Sequence, residues 1–187
     1  MTDALTMASD AIISRLSPAK INLFLHITGK RADGYHDLQT VFRLLNWGDY
    51  LHFSVTDKIT FSTLDNRLDA TELCHQLLIL AGAEAITTNI DDNLIFKATH
   101  ALLVAALELS KLSESLSQVH ITLDKHLPMG AGLGGGSSNA ATTLLVLNEI
   151  WQFNFTRNEL MAIGAKIGAD VPIFIFGQDA IGMGIGE

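Results

Sequence analysis

The 187 residues suffice for one domain, or one domain and part of a second, and 48% hydrophobic against 17% charged side chains exclude a disordered tail or a low-complexity module. Twelve Lys and Arg against 20 Asp and Glu leave a net charge of −8, which repels polyanions at long range and excludes nonspecific binding to nucleic acid or anionic membrane. A local pocket for one phosphate group remains compatible with that charge.

The chain starts polar, with Asp3 and Asp10 ahead of any basic residue and no long apolar stretch behind them, unlike a signal peptide. From Ile21 to Ile27 the residues alternate, Ile21, Leu23, Leu25 and Ile27 to one side and Asn22, Phe24 and His26 to the other, as in a half-buried strand. Lys30 to Gly34 is turn chemistry. Strands are expected at Leu38–Leu45, Tyr50–Val55 and Ile59–Leu64, divided by turns at Asn46-Trp47-Gly48-Asp49 and Thr56-Asp57-Lys58, so the first half reads as an antiparallel, hairpin-rich sheet. Leu73, Leu77, Leu78 and Ala81 have helical spacing, weakened by Gly82 and Thr87-Thr88. Cys74, the one cysteine, has no partner for an internal disulfide, which fits a reducing cytosol, and its leucine neighbours mark a buried thiol.

Leu94, Ile95, Ala98, Ala101, Leu102, Ala105 and Leu109 form one stripe behind an Asp/Asn cap, an amphipathic helix. The longest apolar stretch, Asn93 to Ser110, is interrupted by Lys97, His100 and Glu108, short of the ~18 uninterrupted apolar residues of a membrane span. A cytoplasmic protein is the plain reading. Gln118–Leu123 is a strand feeding a glycine-rich loop, and a buried helix runs from Ser137 or Ser138 to Trp151. Thr156 to Glu159 is a capping box opening a helix that stops near Gly168. Val171–Phe176 reads as a strand, and Gly182 to Glu187 closes the chain.

The loop Pro128-Met129-Gly130-Ala131-Gly132-Leu133-Gly134-Gly135-Gly136-Ser137-Ser138 carries the most information. Its glycines expose backbone N–H groups, and the loop runs straight into a helix whose first N–H groups lack partners and whose dipole favours an anion. Together they make a phosphate cradle, in which Ser137 and Ser138 can cap the helix, donate to phosphate or ligate a metal. The alternative is a turn with glycines kept for close packing. Gly130-x-Gly132-x-x-Gly135 matches a dinucleotide fingerprint, but the second parallel strand with its acidic end is lacking, and no lysine follows the glycines as a Walker A loop requires.

The loop resembles the second motif of the GHMP kinases (galactokinase and the homoserine, mevalonate and phosphomevalonate kinases), P-x-x-x-G-L-G-S-S-A-A. Ser17 to Leu23, Gly34 to Thr40, Leu127 to Ala141 and Gly168 to Pro172 are similar to one branch of that family, in the same order, over nearly all of residues 14–187. The resemblance implies an α+β fold like ribosomal protein S5 domain 2, with residues 1–187 forming the N-terminal, ATP-binding domain and the C-terminal GHMP domain missing. It also implies that Val171–Phe176 and the helix before it are left with an uncovered apolar face. The implied activity is transfer of the γ-phosphate of ATP, with Mg²⁺, to the 2-hydroxyl of a cytidine diphosphate-linked methylerythritol. The rivals are another GHMP kinase, of homoserine or mevalonate type, and a non-catalytic nucleic-acid-binding module on the same fold, which the net charge opposes.

Read alone, Asp170 is either a turn residue ending a helix or a carboxylate at the mouth of an apolar strand, and Lys20 is compatible with a solvated surface ammonium. By resemblance Asp170 is the base that takes the hydroxyl proton, Lys20 pairs with it and contacts the hydroxyl or γ-phosphate, and Asn22 orients the substrate. Tyr35 and His36, otherwise an edge tyrosine and an incidental histidine, would stack on the cytosine and bond its edge. Lys125 and Asn93 would reach the ATP base, and Pro128 to Ser138 would hold the phosphates. The other six histidines, His26, His52, His75, His100, His120 and His126, show no metal-ligand spacing, and no obvious carboxylate for Mg²⁺ exists beyond Asp170.

Overall fold

A computed structural model describes residues 12–30, 36–61, 69–83, 87 and 89–186. Strand β1 (Ile12–Lys30) pairs antiparallel with β2 (His36–Thr60), and β2 pairs in turn with β4 (Ser115–Asp124) along one half and β5 (Ala180–Gly186) along the other. A short β3 (Leu78–Ala81) lies parallel to β4. The helices are α1 (Ala70–Leu77), α2 (Leu94–Glu108), α3 (Gly135–Ile150), α4 (Arg157–Ala165) and α5 (Val171–Phe176). The α+β expectation stands, with β3 and β4 adding a parallel pair to the antiparallel sheet.

The turns expected at 46–49 and 56–58 are absent; β2 runs through both as one 25-residue strand. Gly48 is there for a different reason. It sits opposite Pro18 beside a register shift in β1, where a Cβ would collide with the Ser17 carbonyl, so only glycine lets the strands close. Strand residues are observed at Ile59 and Thr60, while 62–64 lie outside the described residues. The helix expected around Leu73 ends at Leu77, and Leu78 to Ala81 are strand.

Leu51 and Phe53 of β2 and Val119 and Ile121 of β4 meet Leu102 and Leu103 of α2 and Leu144 and Leu147 of α3 in the core, all fully buried. At about 25 cal/mol per Å² of apolar surface, each such side chain contributes ~2 kcal/mol by leaving water. Asn93 starts α2 by accepting the Ile95 N–H at 2.9 Å, and its inward face centres on Ile95, Ala98, Leu102 and Ala106; Leu109, expected in the stripe, is the exposed C-cap. The capping box of α4 is present, Thr156 and Glu159 bonding each other's backbone, and the helix ends at Ala165. Cys74 is buried, and desolvation, with Asp91 nearby, pushes its thiol up to about 12.

Two expectations fail at the end of the chain. Val171–Phe176 is a helix, opened by Pro172 in its first turn and closed by Gly177 at φ +76°. Val171, Ile173, Phe174 and Ile175 pack against α3 and α4 at no more than 9% exposed, and Phe176 alone among its large apolar side chains is exposed, so the expected uncovered face shrinks to that ring. Further exposed large apolar side chains lie along β1, at Leu23, Leu25 and Ile27, and along β5, at Ile181 and Met183. The half-buried strand read at Ile21–Ile27 is thus exposed on both faces from Leu23 onward. No helix among the described residues is long and apolar enough to cross a membrane.

Candidate active site

Three glycines shape the loop between β4 and α3: Gly130, Gly132 and Gly134 stand at φ +68°, +71° and +72°, where side chains with a Cβ are strained. Gly134 is the N-cap of α3 and no side chain caps the helix, so the helix begins earlier than at Ser137 or Ser138. The N–H groups of Gly135, Gly136 and Ser137 have no intrahelical acceptor, and 16 aligned residues add the positive end of a helix dipole. These donors face a cavity of about 390 Å³ bounded by Pro128 to Ser137, Leu94, Asn93 and Lys125. Ser138 points elsewhere: it is fully buried, its N–H donates to the Gly134 carbonyl and its Oγ accepts from Ser17 at 3.0 Å. Asn93 is buried as the cap of α2.

Asp49 holds this loop in place, although its neighbours read only as a turn. Its carboxylate is fully buried and accepts from the Lys125 ammonium at 2.7 Å, the N–H groups of His126 and Leu127 at 2.8 and 2.7 Å, and the Asn139 amide at 3.1 Å. The Lys125 ammonium thereby lies 3.2 Å from where a Cβ on Gly135 would stand, beneath the N-terminus of α3. Burial alone would push the Asp49 carboxyl up, but the donors from Leu127, Lys125, His126 and Asn139 outweigh it and hold it below the ordinary 3.8. A lowered folded-state pKa gives stability that is complete above the unfolded value and lost as pH falls through the folded one. Urea unfolding should therefore show stability dropping below about pH 4. Asp49→Asn should remove that part of the slope and cost about 3 kcal/mol at pH 7, the usual effect of breaking a buried ion pair.

A second cleft, of about 790 Å³, opens on the far side of Ser137 and Leu94, which line both cavities. Lys20 enters it from a register shift in β1, its N–H bonded to the Leu133 carbonyl of the glycine loop at 2.9 Å. The side chain is 9% exposed; its Nζ lies 3.2 Å from Asp170 Oδ2, donates to Asn22 Oδ1 at 2.8 Å and sits 5.4 Å from the centre of the Phe42 ring. Asp170 precedes α5 without capping it, so its carboxylate, one-third exposed, is free to face Lys20 and the cleft. Its place at a strand mouth is thereby corrected to a helix start. Lys20, Asn22 and Asp170 are thus brought together, while Asn93 and Lys125 lie at the other cavity. Tyr35 lies outside the described residues, as does the side chain of His36. Among the described residues no three His, Cys, Asp or Glu side chains cluster to hold a metal ion.

Through Ser137 and Leu94 the cavity of the loop amides adjoins the cleft that Lys20 and Asp170 line. Residues 93–178 match the GHMP kinases N terminal domain. The matched stretch contains the loop, α3 and Asp170, with Lys20 and Asn22 upstream of it. The chain is 72% identical over 182 residues to a Psychrobacter arcticus protein named 4-diphosphocytidyl-2-C-methyl-D-erythritol kinase, covering 95% of this chain and 56% of that one. A Psychrobacter cryohalolentis protein of the same name is 68% identical, covering 100% and 59%. The crystal structure of a 4-(cytidine 5'-diphospho)-2C-methyl-D-erythritol kinase superposes with a TM-score of 0.65 at 32% identity, covering 94% of this chain and 53% of the other. The chain spans about half the length of the curated relatives it matches.

Proposed function

We propose that this chain is the nucleotide-binding part of an ATP-dependent kinase that phosphorylates the 2-hydroxyl of 4-diphosphocytidyl-2-C-methyl-D-erythritol in the non-mevalonate route to isoprenoid precursors. The observation that carries the reading is the Lys20–Asp170 pair at 3.2 Å, beside the point where the loop cavity and the larger cleft meet. The names of the Psychrobacter relatives support the choice of substrate. In this reading residues 1–187 are the ATP-binding domain, working in the cytoplasm, where Cys74 stays a thiol. The rest of the catalytic wall comes from sequence like that of the relatives beyond the matched half.

Phosphoryl transfer to an alcohol asks a protein mainly for positioning and charge stabilisation. The amides of Gly135, Gly136 and Ser137 bind the phosphate chain, and Lys125, under the helix start, adds positive charge. Asn93 lines the same cavity toward the nucleotide base. Asp170 accepts the proton of the attacking hydroxyl, and Lys20 holds that carboxylate while offering a further N–H to the γ-phosphate or hydroxyl. Asn22 orients the acceptor, and Tyr35 and His36 read cytosine. Mg²⁺ brought with the triphosphate would neutralise phosphate charge, and Asp170 and Ser137 are the nearby oxygen donors that would hold it.

ATP consumption measured with the cytidyl substrate, homoserine and mevalonate in turn tests the reading: turnover on the first alone is expected, and turnover on homoserine or mevalonate alone would replace it. Tyr35→Ala should weaken the cytidyl substrate by ~1–3 kcal/mol, the worth of one base–aromatic stack, and leave ATP affinity unchanged by calorimetry. Equal losses for both ligands would make Tyr35 a support of the fold.

A further inference from the structure

We infer that Thr40 is a positioning residue whose hydroxyl decides which end of the Asn22 amide faces the Lys20 ammonium. The argument is one of hydrogen-bond polarity, followed outward from a group that has no choice. The Phe24 carbonyl can only accept, and Thr40 Oγ1 lies 2.7 Å from it, so the single hydroxyl proton is given to that carbonyl. With its proton committed, Thr40 Oγ1 can only accept from Asn22, 2.6 Å away, and the group that meets it must be the NH₂ end. The carbonyl end of Asn22 is thereby turned to Lys20, which donates to it at 2.8 Å. Were the amide reversed, two sets of donors would face each other, and Lys20 would lose an acceptor and swing away from Asp170.

The surroundings keep this chain of bonds from being replaced by water. Thr40 is 6% exposed, in the stretch of β2 flanked on both sides, by Leu25 of β1 and Gly182 of β5. A Cβ on Gly182 would stand 3.1 Å from Thr40 Cγ2 and 2.6 Å from the Phe42 ring, so β5 rests directly on the side chains that steady Asn22 and Lys20. Lys20 has three protons; Asn22 and Asp170 take two, which aims the third. That the third proton serves phosphoryl transfer rests on the function proposed above, whereas the orientation of Asn22 does not.

The test compares Thr40→Val, which keeps the shape and removes the hydroxyl, with Thr40→Ser, which keeps the hydroxyl. NMR of the ligand-free protein should show the Asn22 side-chain amide protons exchanging at least ~10-fold faster in Thr40→Val than in the wild type, with Thr40→Ser like the wild type, since a buried hydrogen bond is what retards them. In turnover of the cytidyl substrate, Thr40→Val should lower kcat by ~10–100-fold at an unchanged KM for ATP, the scale of a small misplacement, and Thr40→Ser should restore it. Should Thr40→Val fail to fold, Thr40→Ala gives the same readouts without the added apolar bulk. Unchanged Asn22 exchange in the hydroxyl-free variants, or a Thr40→Ser variant as impaired as they are, would overturn the inference. Absent turnover in the wild type with the exchange pattern intact would instead overturn the proposed substrate alone.

Discussion

Asp170→Asn should lower kcat by ~10²–10⁴-fold while changing the KM for ATP little, because an amide keeps the shape of the carboxylate but cannot take the proton of the attacking hydroxyl. The geometry separates the two parameters. Asp170 faces the larger cleft, whereas the loop amides and Lys125 belong to the smaller one, so most of the nucleotide's contacts are made away from the carboxylate. The substitution also removes the negative partner of Lys20, a side chain only 9% exposed, but Asn22 remains as an acceptor and limits the structural damage. Single-turnover kinetics with the cytidyl substrate checks this, with a thermal melt to show that the fold is kept. Near-normal turnover would remove Asp170 from the chemistry.

Gly134→Val should abolish measurable ATP binding by calorimetry, and the magnitude comes from two costs that add. At φ +72° a β-branched residue carries backbone strain of ~1–3 kcal/mol. Its Cβ would also stand 2.8 Å from Phe174 Cζ and 3.2 Å from Lys20 Cγ, so α5 and the Lys20 stem must both shift. Gly132→Ala is the informative control. It has a similar φ of +71° but nothing within 4 Å of the new Cβ, so it should pay the strain alone and weaken ATP by no more than ~10-fold. Equal, mild effects of both substitutions in folded protein would mean that the loop packs and does not bind.

The parts of this molecule that were legible in sequence are those fixed by local chemistry. Asn93 before an apolar run, the Thr156–Glu159 capping box and the glycines between a strand and a helix each state their structure within a few residues. The failures have two causes: a long-range contact overrode a local signal, or the local pattern itself was ambiguous. Gly48 looks like a turn because its need, to clear Ser17, arises from a strand 31 residues earlier in the chain. Val171–Phe176 has no polar residue to reveal a period, and a short buried helix and a buried strand then look alike; Pro172 and Gly177, at its start and just beyond its end, were the signal that favoured helix. Asp49 gave no hint of burial, since its four donors come from the three residues after β4 and from α3. The pairing of Lys20 with Asp170 was suggested by family resemblance and by nothing in their spacing.

Because β2 is the shared partner of three strands, assembly of the sheet is unevenly distributed in time. Its pairing with β1 joins neighbours in sequence and can form as soon as residues up to Thr60 are available. Its pairing with β5 joins His36 to Gly186, so that edge must wait for almost all of the described chain and bear a large loop-closure cost. Until then Thr40 and Phe42 present an open edge, and the cleft beside Lys20 lacks the wall made by Ile181 and Met183. In a refolding experiment followed by pulsed amide exchange, protection should reach the β1–β2 pairing first and the amides of β5 last. During synthesis the larger cleft would close only after the phosphate loop is already in place.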